Sequence, residues 1–213
     1  MKWYTIIPLF LLFLLVACNH TTAPVKKTDP AALAADFLLI DSTKPLIQSG
    51  DVIFRNGNDE VSRAARAMNR KDTSFSHCGL IQIEHDTIFV YHAIGGIYNP
   101  DQHLRRDPID SFCTPVENNA FGIYRYNLNP LQTAKLSNII RQYYRDGLRF
   151  DLYFNFLTDD VMYCSEFVFK SLNRSANGAF TKYVRLDTIP YGVTTDDIYL
   201  NENCRLVKRQ YFR

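Results

Sequence analysis

Apolar and polar positions along this chain follow two periods, and the switches between them mark out its elements. The first block stands apart: after Lys2, residues 6–16 are almost wholly apolar and end in Leu15-Val16-Ala17-Cys18. Residues 19–30 carry Pro24, Lys26, Lys27 and Pro30 without any period, the composition of a solvated tether. Over 31–40, Leu33, Phe37 and Leu38 recur at a helical step behind Asp29-Pro30, a cap and a proline suited to a first turn. Residues 52–55 read as a short strand, and 59–68 as a helix behind the Asn56-Gly57-Asn58 break. Two further strands, 75–83 and 87–93, are rich in β-branched and aromatic residues and meet at Glu84-His85-Asp86. Residues 98–119 are polar, proline-bearing and without period, which predicts an irregular excursion.

The second half continues in the same way. Residues 121–126 predict a strand. Residues 131–144 predict a helix with Leu131, Leu136, Ile139, Ile140 and Tyr143 toward the core, ending at Gly147. Phe167, Val168 and Leu172 mark the inner face of another helix, with Glu166, Lys170 and Arg174 on its wet side. Asp159 and Asp160 are the residue types that cap a first turn, so this helix is expected to start between Asp159 and Tyr163. Residues 205–212 predict a closing strand.

Composition adds bounds. With 213 residues, 46% hydrophobic and 22% charged, the chain suits one well-packed domain. The opening block looks like a bacterial lipoprotein signal, with cleavage before Cys18 and a diacylglycerol on its sulfur; the apolar run is shorter than the roughly 20 residues a membrane helix needs. The expected organisation is a signal peptide over 1–17, a lipidated tether over 18–30, and one domain over 31–213, anchored in the bacterial cell envelope and facing the periplasm. A net charge of +2 and the lack of basic runs exclude a nucleic-acid surface. Cys78, Cys113, Cys164 and Cys204 are widely spaced, with no C-x-x-C pair to hold a metal; at most one disulfide is open to Cys78, Cys113 and Cys204 if Cys164 stays free.

The chemistry gathers at two places. Cys164 falls at a helix start, where free N–H groups and the positive end of the dipole favour a thiolate and can receive an oxyanion. Position alone also suits a structural cysteine, so a histidine in reach decides. If the hairpin turns over a two-residue loop at His85-Asp86, Glu84 faces Thr87 and His92 stands opposite Gly79. His92, Gly79 and His77 then share one face, with the glycine leaving room for a ring. A three-residue loop would separate them. His77 is the candidate base, and His92 the group that holds its tautomer. Cys78 neighbours His77 in sequence but points to the opposite face. His85 and His103 read as surface residues.

At these residues the chain resembles the YiiX-like, circularly permuted branch of the papain-like cysteine hydrolases, related to NlpC-type cell-wall endopeptidases. Gly50-Asp51-Val52-Ile53-Phe54-Arg55 resembles the opening strand, Phe75-Ser76-His77-Cys78-Gly79-Leu80 the histidine strand, and Tyr163-Cys164-Ser165-Glu166-Phe167-Val168 the cysteine helix, in the permuted order. The resemblance implies an α+β fold, a small antiparallel sheet or half-barrel packed with helices. It implies Cys164 as nucleophile and His77 as base, with His92 where many relatives carry glutamate. The implied activity is hydrolysis of an amide through a Cys164 thioester, in a peptide derived from the cell wall, without cofactor. Two alternatives accompany it: a lipid acyltransferase or thioesterase of the lecithin retinol acyltransferase type, with Tyr153, Phe154 and Phe156 lining an acyl groove, and a non-catalytic envelope-binding module.

Overall fold

The structure, a computed structural model, describes residues 29–187 and 191–213. The apolar block, Cys18 and nearly all of the tether lie outside the described residues. Asp29 caps the first helix through its carboxylate, and α1 (Pro30–Thr43) follows. The chain then runs through β1 (Val52–Gly57), α2 (Glu60–Ala67), β2 (His77–Glu84), β3 (Thr87–His92), β4 (Arg105–Pro108), α3 (Ile109–Phe112), β5 (Asn118–Tyr126), α4 (Pro130–Arg145), α5 (Cys164–Ser175), α6 (Thr195–Tyr199) and β6 (Cys204–Tyr211). The strands form a single six-stranded sheet in the order β4-β3-β2-β1-β5-β6, each pair antiparallel.

Both faces of this sheet are covered, and alternation along each strand assigns residues to them. Val52, Phe54, Cys78, Leu80 and Tyr91 face one core with Leu136 and Ile140 of α4, Phe167, Val168 and Leu172 of α5, and Ile198 of α6. Ile53, Ile81, Val90, Phe121 and Ile123 face the other, beneath Ile40 of α1 and Ile109 and Phe112 of α3. Sandwiching between two layers of helix explains why β2 is buried on both faces from His77 through Gln82 rather than half-wet.

Four expectations change. Residues 98–119 hold β4 and α3, not a structureless excursion. The strand was hidden because Arg-Arg-Asp-Pro is an edge segment, and edges carry charge and proline in place of apolar alternation. Leu131 is 82% exposed in the first turn of α4, while Leu136 and Ile140 are fully buried. Asp159 and Asp160 do not cap α5, which begins at Cys164 with Tyr163 as its cap residue. Asp159 is instead drawn to the cations of α5, meeting Lys170 at 2.7 Å and Arg174 at 2.8 Å, while Glu166, expected on the wet side with them, is fully buried.

Candidate active site

The hairpin closes over two residues. Glu84 pairs with Thr87 and Leu80 with Tyr91, and the loop residues His85 and Asp86 both take positive φ, 47° and 63°, as a type I′ turn demands. One step further, His92 lies across from Gly79, and the two imidazoles meet: His77 Nε2 and His92 Nδ1 are 2.8 Å apart. Gly79 is needed there, since a Cβ would stand 2.8 Å from the Tyr91 carbonyl oxygen and 3.0 Å from the His92 Cβ. Both rings are buried and packed on Phe112 of α3, with centroids 5.7 Å and 5.0 Å away.

The pair continues to a residue that sequence reasoning missed. His92 Nε2 lies 3.0 Å from Asp107 Oδ2, and Arg105 donates to the other carboxylate oxygen at 2.8 Å. Asp107 sits on β4 beside the histidine strand, and the signal that would have found it is the strand itself: His92 is the register partner of Arg105, so Asp107 stands diagonally across.

Charge in this cluster is set by burial and by neighbours. Removal from water pushes both imidazoles below the ordinary histidine value, His77 far below it, with the nearby Arg55 cation adding to the effect. For His92 the Asp107 carboxylate opposes that shift without reversing it. Burial works against the Asp107 anion, yet its hydrogen bonds from His92 and Arg105 outweigh this and hold it at about 2. At neutral pH the cluster is therefore two neutral rings and one carboxylate.

Cys164 is the first residue of α5, on the other side of β2. Its sulfur meets the Cys78 thiol, and that hydrogen bond is the leading cause of a lowered thiol pKa. Burial opposes the shift, while the backbone N–H groups of Ser165, Cys78 and Cys164 itself support it. Cys78 shifts the opposite way, driven up by its complete burial and then by Cys164, so it remains the neutral donor of the pair. The structure thus brings the Cys164 sulfur to the residue that follows His77. Among the described residues no hydrogen bond joins that sulfur to the His77 ring, which lies on the Phe112 side of the strand. Cys78, Cys113, Cys164 and Cys204 are all free thiols.

The helix start is pinned from several directions. Glu166 Oε2 accepts the Tyr163 N–H at 3.2 Å, and Ser165 Oγ donates to the Val193 carbonyl at 2.9 Å. Asp196 accepts the backbone N–H groups of Arg70, Lys71 and Asp72 at 3.0, 2.6 and 3.2 Å, tying the loop before β2 to the start of α6. Between these two tied segments opens a narrow cleft of about 50 Å³, walled by Met68, Ser76, Phe154, Tyr191 and Thr194, with Cys164 in its wall. A roomier groove between α4 and α5, lined by Lys135, Tyr143, Arg174 and Asn177, is at the other end of α5 from Cys164 and has no cysteine, serine or histidine in its wall. Among the described residues no group of three or more His, Cys, Asp or Glu side chains is disposed to hold a metal ion. His103 lies apart, its Nδ1 3.0 Å from the Gly147 carbonyl oxygen.

Comparison with known proteins places this arrangement. The protein named YiiX from Escherichia coli K12, described as uncharacterized, is 27% identical over 125 residues. That match covers 58% of this chain and 56% of the relative, so it spans little more than half of that protein's length. A crystal structure described as the metalloprotein YiiX from Escherichia coli O157:H7 superposes with a TM-score of 0.57 at 19% identity, covering 77% of this chain and 98% of the other, and shows a shared fold. The model of the permuted papain-like amidases, the YaeF/YiiX or C92 family, matches residues 46–196, from the approach to β1 through the first residues of α6, with both the histidine hairpin and the cysteine helix inside it. The chain therefore belongs to the family of permuted papain-like cysteine amidases.

Proposed function

We propose that this protein hydrolyses an amide bond through a thioester on Cys164, with His77 as the base and His92 as the group that orients it. The observation that carries this reading is the situation of Cys164: a part-exposed thiol at a helix N-terminus, in the wall of a cleft, with its pKa lowered by the Cys78 thiol and three backbone N–H groups. His77 takes the thiol proton. The sulfur attacks the amide carbon, forming the C–S bond and moving the carbonyl electron pair onto oxygen, where the N–H groups at the start of α5 receive the charge. Collapse breaks the C–N bond as His77 returns its proton to the leaving amine, and water then releases the acid from the thioester. The sulfur rests against Cys78, and the hand-over requires it to come within hydrogen-bond reach of the His77 ring in the substrate complex.

The proposed substrate is a peptide amide derived from the cell wall, met by a domain held at the envelope by a lipid on Cys18. A second reading is favoured by the loop between α4 and α5. Leu152, Tyr153, Phe154 and Leu157 all stand exposed, Tyr153 at 91% and Leu157 at 68%, and Phe154 reaches the cleft. An apolar rim suits an acyl chain, which the same thioester would pass between lipids.

Incubating the protein with muropeptides, free peptides and phospholipids, each beside Cys164→Ala, and identifying products by mass spectrometry tests both. Peptide products that vanish in Cys164→Ala support the first reading, acyl transfer the second, and turnover that survives the substitution rejects the nucleophile. With an active substrate, His77→Ala is expected to abolish turnover and His92→Ala to leave a residue of it. For the anchor, Cys18→Ser is expected to release the protein from the membrane fraction; unchanged fractionation and mass reject the anchor.

A further inference from the structure

We propose that Asp107 is a positioning residue that fixes the tautomers of both histidines, leaving His77 Nδ1 as the unprotonated nitrogen that receives the thiol proton. This rests on the reading of His77 as base. The argument follows donors and acceptors along the chain of contacts. An ionised carboxylate can only accept, so the 3.0 Å contact between Asp107 and His92 Nε2 requires the proton on that nitrogen. A neutral imidazole carries one proton, so His92 Nδ1 is an acceptor. The 2.8 Å contact between His92 Nδ1 and His77 Nε2 then requires His77 Nε2 to be the donor. His77 Nδ1 is left with its lone pair. No other group in the cluster sets this direction, because two imidazoles alone can share a proton either way round.

Asp107 is itself held for the task. Arg105 donates to its Oδ1 at 2.8 Å, which leaves Oδ2 for His92, and pairing of β4 with β3 sets the carboxylate at the height of the ring. When His77 gains the thiol proton, the carboxylate also faces the positive charge through His92. Its contribution therefore grows at the step where charge develops. Burial of both rings keeps water from supplying an alternative partner.

Two measurements test the assignment. In the ¹⁵N-labelled wild-type protein at neutral pH, His77 and His92 are each expected to show a protonated Nε2 and an unprotonated Nδ1. A protonated Nδ1 on His77 overturns the proposal, whatever substrate the enzyme proves to have. In kinetics, Asp107→Asn is expected to lower kcat by roughly 10- to 10⁴-fold with KM within about twofold. The acid limb of its rate profile is expected at lower pH, because the imidazolium has lost its counter-charge. Asp107→Glu is expected to recover part of kcat. An Asp107→Asn enzyme with wild-type kcat and an unmoved acid limb removes Asp107 from the machinery. The nitrogen assignment in the wild type decides the matter if the substituted chain fails to fold.

Discussion

Two thiols in contact at Cys164 divide their titration unequally. Cys78 is wholly buried and keeps its proton, so its S–H is available to the sulfur of Cys164, and that donor is the largest influence lowering the Cys164 pKa. The linkage has a definite sign: deleting a donor to the charged form raises the pKa of the acceptor. Cys78→Ala is therefore expected to move the pH profile of Cys164 alkylation upward, read by iodoacetamide labelling and peptide mapping. A profile that stays in place would mean the backbone N–H groups alone lower the Cys164 value. The Cys164 position at a helix start was legible in sequence because apolar spacing locates the helix. The Cys78 contact was not, since it depends on how α5 lies across β2.

Among the elements, the hairpin of β2 and β3 was the more readable and β4 the less. A two-residue loop ties register to sequence number, so placing His77 and His92 together needed only the turn length. No comparable rule reaches β4, because a strand added at an edge declares itself by pairing rather than by pattern. The hairpin makes a test of its own at Gly79. A methyl group there would stand 2.6 Å from Val90 Cγ1 and 2.8 Å from the Tyr91 carbonyl oxygen, and backbone cannot step aside without disturbing the β2 and β3 ladder. Gly79→Ala is expected to destabilise the fold by about 1–3 kcal/mol in urea or thermal unfolding. The shift should also impair turnover through His92. A variant with unchanged stability would show that the strands part at this point without cost.

At the scale of the molecule, one side chain ties the loop leading to the site to the cysteine helix at several points. Lys170 Nζ meets the Phe156 and Thr158 carbonyl oxygens at 2.8 and 2.5 Å, Asp159 at 2.7 Å and Glu166 at 2.7 Å, joining the exposed apolar loop to the helix that carries Cys164. Burial drives the Glu166 carboxyl up to about 7 even though Lys170 favours its charged form. Lys170→Met removes that cation, so the buried Glu166 is left to take up a proton, at a cost of about 1–3 kcal/mol for the lost charge-assisted contacts. The loss is expected to be largest above neutrality and smaller in acid, where Glu166 takes up a proton. Unfolding followed from pH 5 to pH 8 checks it, and a pH-independent loss would contradict the assignment to Glu166. The buried histidines act on stability in the other direction. Their folded-state values are depressed, so the unfolded chain binds more protons and stability falls as pH drops below about 6.5.

What the sequence determined by itself was local: where apolar period changes, which residues cap or end a helix, how a two-residue loop sets the register of its strands, and the order of the histidine and cysteine segments. Each of these depends on residues within a few positions of one another, so the chain states them directly. The tertiary structure decided what depends on packing between distant segments. It set α5 against β2 so that Cys164 meets Cys78, added β4 so that Asp107 reaches His92, and left Tyr153 and Leu157 in solvent where composition alone suits a core. Such contacts have no period to announce them, because the free energy that selects them is the burial of whole faces rather than the preference of any one residue.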